Sequence, residues 1–199
     1  MDPDVLAAIA RWPNVPAVYG WLALTARGEW RLRGERIDNA AIRAFISRNY
    51  ALDDEGRAFF QNGPQRVYVS LALTPWIYRI EPDAGVVAHA GARVTRCDGA
   101  ALLDDGRLLL LTEMGIGAVD DRDTAHCLSG IAGPDGNALA SDEIERWLDG
   151  ARDACLVPPR LGLAGMPCVV ERLTTAELEG RFGFVREPQP AERNAGTRD

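Results

Sequence analysis

Short apolar runs separated by turn-forming residues fill the sequence, and they restrict the chain to a fold rich in antiparallel strands. The clearest case is "AFFQNGPQRVYVSL", residues 58–71, where two apolar runs flank Asn-Gly-Pro-Gln. Asn62 and Gly63 tolerate positive φ, and Pro64 has no N–H to donate to a ladder, so the chain must reverse here. The run after the turn alternates between the two faces of a strand.

The same pattern recurs along the chain. The turn "TARG" (25–28) separates two runs near the N-terminus, and "CDG" (97–99) and "DDG" (104–106) are further hairpin signals. The stretch "RLLLLT" (107–112) has no polar alternation, which predicts a strand covered on both faces.

Three segments instead carry helical spacing, at about 3–11, 39–50 and 141–154. Their predicted N-terminal caps are, in order, Asp2, either Asp38 or Asn39, and Ser141. In the second segment the predicted buried stripe is Ile42, Phe45, Ile46 and Tyr50. These helices are expected to pack on the sheet.

The segment 54–69 returns fifty residues later as 104–119. The matched pairs are Asp54 and Asp104, Gly56 and Gly106, Arg57 and Arg107, and Val69 and Val119. The matched residues are turn formers and strand residues. The match therefore predicts a repeated arrangement of strands and indicates no catalytic or binding site. An internal duplication would produce it, and so would coincidence.

Together these signals predict an α+β fold, mainly antiparallel β-hairpins forming one or two sheets with about three packed amphipathic helices. The predicted organisation is an N-terminal α+β subdomain (1–84), a β-rich subdomain with a C-terminal helix (85–186) and a loose tail (187–199). The boundary near residue 85 matches the two copies of the recurring segment.

The charge of the chain excludes one class of function. All 22 basic residues are arginines, and the net charge is −7. A non-specific nucleic-acid binder needs excess positive charge to neutralise phosphates, so no nucleic-acid partner is expected. Residues 97–155 carry 13 acidic residues against 4 arginines, which would suit a basic partner or simply keep that part solvated.

Location and redox state follow from simple signals. The start, "MDPDVLAAIARW", has acidic residues where a signal peptide has basic ones, and no apolar run reaches the roughly 18 residues of a membrane span. The four cysteines show no C-x-x-C spacing, as is typical of reduced thiols. We therefore expect a cytoplasmic protein with no membrane partner.

Aromatic residues and arginines crowd together before residue 80, in "RWPNVPAVYGW", "GEWRLR" and "TPWIYR". They predict a ligand or partner surface formed by Trp21, Arg66, Tyr68, Trp76 and Tyr78. The alternative is that these aromatics form the hairpin core, with arginine stems covering them.

The segment "EMGIGAVDDRDTAHC" concentrates carboxylates around one imidazole. A divalent metal would be held by Glu113, Asp120, Asp121, Asp123 and His126. The segment lacks the central glycine and terminal glutamate of a calcium-binding loop, and the alternative is a solvated acidic turn.

The order of motifs resembles a known group. G-E-W (28–30), G-x-x-I (34–37), an amphipathic helix, D-x-x-G (53–56), "FFQNGPQRVYV" and "TPW" (74–76) are similar to an uncharacterised proteobacterial family known only as a domain of unknown function. The resemblance implies a cytoplasmic bacterial protein with a mixed α+β fold. It implies no activity, cofactor or site.

The leading hypothesis is therefore a non-catalytic module that binds a small ligand or another protein through its Trp/Arg surface. The alternative is a metal-dependent hydrolase that uses the acidic 113–126 segment. A third hypothesis is a structural partner protein whose acidic middle meets a basic surface. No cofactor is predicted, except a divalent metal under the hydrolase alternative, and the sequence leaves the partner and a homo-oligomeric state open.

Overall fold

A computed structural model describes residues 1–190, and it confirms the α+β fold class. The helices are α1 (Pro3–Arg11), α2 (Ala40–Arg48), α3 (Thr124–Cys127), α4 (Ser141–Leu148) and α5 (Leu178–Phe182). The first six strands are β1 (Val18–Leu24), β2 (Trp30–Leu32), β3 (Glu35–Arg36), β4 (Tyr50–Leu52), β5 (Ala58–Asn62) and β6 (Gln65–Leu71). The next five are β7 (Trp76–Glu81), β8 (Gly85–Ala88), β9 (Cys97–Leu103), β10 (Leu108–Thr112) and β11 (Gly115–Val119). The last three are β12 (Ile131–Ala132), β13 (Cys155–Leu156) and β14 (Cys168–Leu173).

The strands form two mixed sheets that are mainly antiparallel, as predicted. The first sheet has the order β3-β2-β1-β6-β5-β4, and the second has the order β12-β13-β14-β9-β10-β11-β7-β8. Parallel pairing occurs between β1 and β6, between β7 and β11, and between β9 and β14. The turns predicted at 25–28, 62–65 and 104–106 all connect paired strands or extend their ladders.

Two hydrophobic clusters form the core. The first contains residues of both sheets, such as Trp30 and Val69 from one and Leu109 and Ala118 from the other. The second lies on the opposite face of the second sheet and includes Trp147 of α4. The second sheet is therefore buried on both faces over much of its area.

Strand β10 shows this double burial most clearly. Leu109 belongs to the first cluster, whereas Leu108 and Leu110 belong to the second. A strand between two cores needs apolar residues at successive positions, because successive side chains point to opposite faces. The prediction that "RLLLLT" is covered on both faces is confirmed.

The two sheets repeat one strand plan. In each, a hairpin is followed by a three-stranded meander whose last strand pairs in parallel with the first strand of the hairpin. The registers of the meanders match at an offset of fifty: Tyr50↔Phe60 with Ala100↔Leu110, Phe60↔Val67 with Leu110↔Gly117, and Asn62↔Gln65 with Thr112↔Gly115. The predicted repeat of architecture is thus present residue for residue, and its turns use Gly56 and Gly106 at positive φ.

The helices differ from the predictions at their ends. Asn39 caps α2, since its Oδ1 accepts hydrogen bonds from the backbone N–H groups of Ala41 and Ile42. Asp2 precedes α1 without capping it through its side chain, and Ser141 lies inside α4. Helix α4 ends at Leu148 and not near 154, because Gly150 follows in a left-handed conformation that terminates a helix.

The predicted turn "CDG" is wrong. Cys97, Asp98 and Gly99 lie within β9, where Thr112 pairs with Cys97 and Leu111 pairs with Gly99. Asp98 is the extra residue of a β-bulge. A bulge and a turn favour the same small and polar residues, so the local sequence does not separate them.

The chain passes from the first sheet to the second between Leu71 and Trp76. The predicted boundary between residues 84 and 85 falls instead at the turn of the β7–β8 hairpin. Whether either part folds alone stays a prediction. Of the predicted tail, residues 191–199 lie outside the described residues, and Pro188 is buried.

No helix within residues 1–190 combines the length and the apolar character needed to span a membrane.

Candidate functional site: an apolar groove beside α2

Helix α2 crosses the first sheet and leaves an open groove along one side, here called the α2 groove. Its volume is about 330 Å³, within the usual range for small-molecule sites. The sheet contributes Val18, Trp21, Leu22, Leu32, Phe60 and Val67. The helix and the loop before it contribute Ile37, Ile42, Phe45 and Ile46. Two amides, Asn62 and Gln65, complete the lining, and none of the lining residues within the described 1–190 is charged.

The rim of the groove exposes large apolar side chains. Trp21 and Leu32 are each 47% exposed, and Ile42 is 49% exposed. The helical spacing predicts burial of Ile42 in the stripe of α2, and this prediction is wrong because the helix does not cover the whole sheet. Apolar groups that the fold leaves open around a concavity are the usual mark of a binding site.

A β-bulge places Trp21 at this rim. The register between β1 and β6 shifts between Val18 and Leu22, and Gly20 within the shift has a φ of 71°. Only glycine adopts that conformation without steric cost. Bulges re-aim a side chain, and they are frequent next to functional sites.

Arg33 lies directly over Trp21. Its guanidinium carbon is 3.8 Å from the centroid of the Trp21 ring, and its backbone N–H donates a 2.7 Å hydrogen bond to the Trp21 carbonyl. Arg33 has a φ of 49° and is the single non-glycine residue with positive φ in the described chain. A non-glycine residue in that region costs about 1–2 kcal/mol, and such residues cluster at functional sites.

The other end of the groove carries the two amides. Gln65 donates a 3.1 Å hydrogen bond from Nε2 to the Pro16 carbonyl, which fixes its side chain. Asn62 is exposed at the end of β5 and faces Gln65 across the hairpin. These amides supply hydrogen-bond donors and acceptors beside an otherwise apolar surface.

Only Trp21 of the five predicted surface residues lines this groove. Arg66 and Tyr68 lie in another aromatic group, where the Arg66 guanidinium is 4.5 Å from the Phe59 ring centroid. Tyr68 is buried, stacks on Tyr19 at 4.6 Å, and donates a 3.1 Å hydrogen bond to Asp53.

The remaining two predicted residues belong to the core. Tyr78 is fully buried, and its hydroxyl lies 2.7 Å from Thr112 Oγ1 and 2.9 Å from the Gly115 carbonyl oxygen. Its ring covers Gly117 so closely that a Cβ atom there would lie 2.3 Å from Tyr78 Cε2. Gly117 therefore allows the Tyr78 ring to pack directly against strand β11.

Trp76 is half-buried in an aromatic cluster around His89. The His89 ring centroid lies 5.3 Å from Trp30, 5.2 Å from Tyr50 and 5.7 Å from Trp76. Its Nδ1 accepts a 3.3 Å hydrogen bond from the Ile77 N–H, and its buried Nε2 has no partner among the described residues. Burial lowers the pKa of His89 to about 3, so the imidazole is neutral at physiological pH.

The five predicted metal ligands do not converge. Within residues 1–190 no group of three or more His, Cys, Asp or Glu side chains is placed to hold a metal ion. Glu113 accepts hydrogen bonds from Thr95 and Arg96, and His126 is exposed on α3. Successive residues of the segment point in different directions, so proximity in sequence does not gather their side chains.

The three aspartates of that segment are instead paired with arginines. Asp120 is fully buried, and Arg122 approaches its Oδ1 at 2.8 Å and its Oδ2 at 2.5 Å. Burial by itself would raise the pKa of Asp120, but the hydrogen bonds from Arg122 outweigh it and hold that pKa well below its usual value. Asp121 and Asp123 bind Arg27 and Arg79 at 2.7 and 2.8 Å.

Two polar clefts flank the Arg27–Asp121 ion pair. One, of about 270 Å³, contains Arg79 and Glu81, and the other, of about 380 Å³, contains Arg31 and Arg107. Arg27, Arg79 and Arg107 each already bind a carboxylate. The α2 groove offers the more coherent chemistry, with one apolar surface, two amides and a lining tryptophan on which an arginine stacks.

Sequence reasoning found Trp21 but missed the groove. The sequence features that could have indicated the groove are the apolar Leu32 and Ile42 and the glycine between Tyr19 and Trp21. Each is also an ordinary feature of a hairpin or of an amphipathic helix, and only the packing of α2 on the sheet reveals the gap.

Comparison with solved structures found similarity of fold at low identity. A DUF1285 family protein from Silicibacter pomeroyi DSS-3 is 13% identical, with a TM-score of 0.49, over 69% of this chain and 90% of that chain. A DUF1285 family protein from Shewanella baltica OS155 is 18% identical, with a TM-score of 0.41, over 53% of this chain and 88% of that chain. Similarity at this level carries no argument about the groove.

No curated protein matches the chain. A family model does match, over residues 1–189, and it is described as "Protein of unknown function (DUF2946)". The expected membership of a family known only as a domain of unknown function is therefore confirmed. The chain belongs to the family DUF2944.

Proposed function

We propose that this protein is a binding module for a small, mainly apolar molecule, and that the α2 groove is its site. The observation that carries the proposal is the open apolar groove of about 330 Å³ with Trp21, Leu32 and Ile42 exposed at its rim. Covering these side chains removes apolar surface from water, which is favourable by roughly 25 cal/mol per Å².

A small molecule suits the groove better than a bulky partner. The two amides stand at one end, so an occupant gains orientation from hydrogen bonds as well as affinity from apolar contact. The bulge at Gly20 shapes the wall locally, around a single indole. These features support a site for one molecule with a flat or chain-like apolar body.

The test is titration of the ¹⁵N-labelled protein with neutral apolar fragments, such as 1-octanol and indole, followed by NMR. We expect the Trp21 indole N–H and the α2 backbone amides to shift, with dissociation constants of about 0.1–1 mM. The Trp12 indole is the internal reference, because Trp12 is exposed to a similar degree, 52%, outside the groove.

Matched variants sharpen the test. Trp21→Ala removes a wall of the groove and should weaken fragment binding at the α2 amides at least about fivefold, whereas Trp12→Ala should leave it unchanged. Each tryptophan has an arginine stacked on its ring, so the two variants lose similar surface contacts. Equal shifts at both indoles, or no shift at Trp21 with any fragment, would refute the proposal.

A further inference from the structure

We propose that the ligand of the α2 groove carries a carboxylate, and that Arg33 binds this group at the rim. The inference rests on the proposed function and adds the chemical class of the ligand, an apolar body with one acidic end. Its basis is the contact of Arg33 with Trp21, since Trp21 lines the groove and is exposed at its rim.

The stacked geometry leaves the hydrogen-bonding edge of Arg33 available. The guanidinium carbon lies 3.8 Å from the Trp21 ring centroid, a distance that fits a guanidinium stacked with its face against the indole. A guanidinium presents its N–H donors in its own plane, in a fork that matches a carboxylate. Stacking therefore holds the fork in place without using its donors.

Arg33 also has no competing acid nearby. Within residues 1–190 no carboxylate oxygen lies within 4.0 Å of its guanidinium, whereas the nearby Arg36 contacts both Glu29 and Asp38. A ligand carboxylate would thus bind an arginine that has no carboxylate partner to displace among residues 1–190. In this respect Arg33 differs from Arg27, Arg79 and Arg107 of the two polar clefts.

The backbone holds Arg33 in this position. Arg33 and Gly34 connect β2 and β3 with φ values of 49° and 87°, the pattern of a tight hairpin turn with two left-handed residues. The hydrogen bond from the Arg33 N–H to the Trp21 carbonyl ties this turn to the bulge of β1. The arginine is pre-organised over the indole, which limits the entropy lost when a ligand binds.

The lining explains why the acid would sit at the rim. The interior is apolar except for Asn62 and Gln65, which are neutral. A carboxylate buried there without a cation would bear a large desolvation cost. At the rim it keeps part of its hydration and gains the charge of Arg33.

The test compares two probes that share a chain and differ in charge, octanoate and 1-octanol. In wild-type protein we expect octanoate to bind at least about threefold more tightly than 1-octanol, the scale of an exposed ion pair. Arg33→Gln should abolish this preference, so that the ratio of the two affinities falls to about one. Arg11→Gln is the matched control, because the Arg11 guanidinium carbon also lies over a tryptophan ring, 4.7 Å from the Trp12 centroid, and neither residue lines the groove.

Two further measurements keep the outcome clear. Arg33→Lys retains the charge without the fork and should keep part of the preference, and 1 M salt should reduce it in wild-type protein, because the screening length falls to about 3 Å. If both probes shift Trp21 equally and Arg33→Gln changes nothing, the acidic ligand is refuted while the groove stands. If neither probe shifts Trp21, the proposed function fails and this inference fails with it.

Discussion

At the scale of single residues, the most unusual environment belongs to His89. Its Nδ1 accepts a hydrogen bond from Ile77, a role that only the neutral ring can fill, and aromatic rings surround it. The side chain replaces a backbone acceptor at the point where the β7–β8 ladder ends. A protonated ring would lose this hydrogen bond and place a charge between the two sheets.

This environment predicts a pH dependence of stability. The pKa of His89 is lowered to about 3 in the folded protein, against about 6.5 in the unfolded chain. Between these values the unfolded state binds a proton that the folded state does not, so stability falls as the pH falls below about 6.5. The expected slope is about 1.4 kcal/mol per pH unit.

Urea unfolding between pH 7 and pH 4.5 measures this slope. His89→Phe should flatten it whatever its effect on absolute stability, whereas His126→Gln, at an exposed position, should retain it. An unchanged slope in His89→Phe would show that other groups cause the acid sensitivity. Below about pH 4, protonation of Asp120 should remove further stability, because the pKa of Asp120 is also lowered by folding.

A second prediction at this scale concerns Gly117. A methyl group there would meet the ring of Tyr78, which cannot withdraw because its hydroxyl is bonded to Thr112 and Gly115. Gly117→Ala should lower the free energy of unfolding by about 2–3 kcal/mol. Gly180→Ala, in α5 with open space around it, should instead raise it by up to about 1 kcal/mol. Denaturant unfolding checks both, and a tolerated Gly117→Ala would contradict the packing described.

At the scale of elements, β10 and α2 show how far sequence pattern predicts position. The unbroken leucines of β10 predict burial on both faces, and both faces are buried. The stripe of α2 predicts full contact with the sheet, yet Ile42 remains open at the groove. The spacing of apolar residues predicts which face of a strand or helix points toward the core. It does not predict whether the neighbouring elements cover that whole face.

The position of β10 between two cores leads to a third prediction. Leu109→Ala and Leu110→Ala should each lower stability by about 2–5 kcal/mol, because each leaves a cavity in a different cluster. In an ordinary amphipathic strand only one of two successive side chains is buried, so only one of the two substitutions to alanine would lower stability this much. Chemical denaturation of the two variants measures this, and a loss below about 1 kcal/mol at either position would contradict double burial.

At the scale of the whole molecule, the two sheets share their first core. The strand plan is repeated, but the apolar face of one sheet packs on the apolar face of the other. Each sheet therefore buries this face only in the presence of the other sheet. The sequence predicts a division near residue 85, where its recurring segments separate. The two predicted subdomains contact each other through this shared cluster.

We therefore expect a single unfolding transition. Trp30 is buried in the first cluster and Trp147 in the second, so their indole N–H signals report on both cores. Both signals should disappear at the same denaturant concentration, as for one cooperative unit. Loss of the Trp147 signal at a lower concentration would show instead that the second cluster unfolds by itself.

The local features could be predicted from the residues alone: the turns at 25–28, 62–65 and 104–106, the three main helices, the doubly covered strand and the repeat at an offset of fifty. These features depend on the backbone preferences of individual residues and on the spacing of apolar residues, and both are set by residues close together in the sequence. Which side chains meet is seen only in the folded chain. It placed an arginine beside each aspartate of the acidic segment, buried Tyr68 and Tyr78, and left Trp21 open under Arg33. Burial and pairing depend on residues far away in the chain, and a local pattern carries no information about their distance in space.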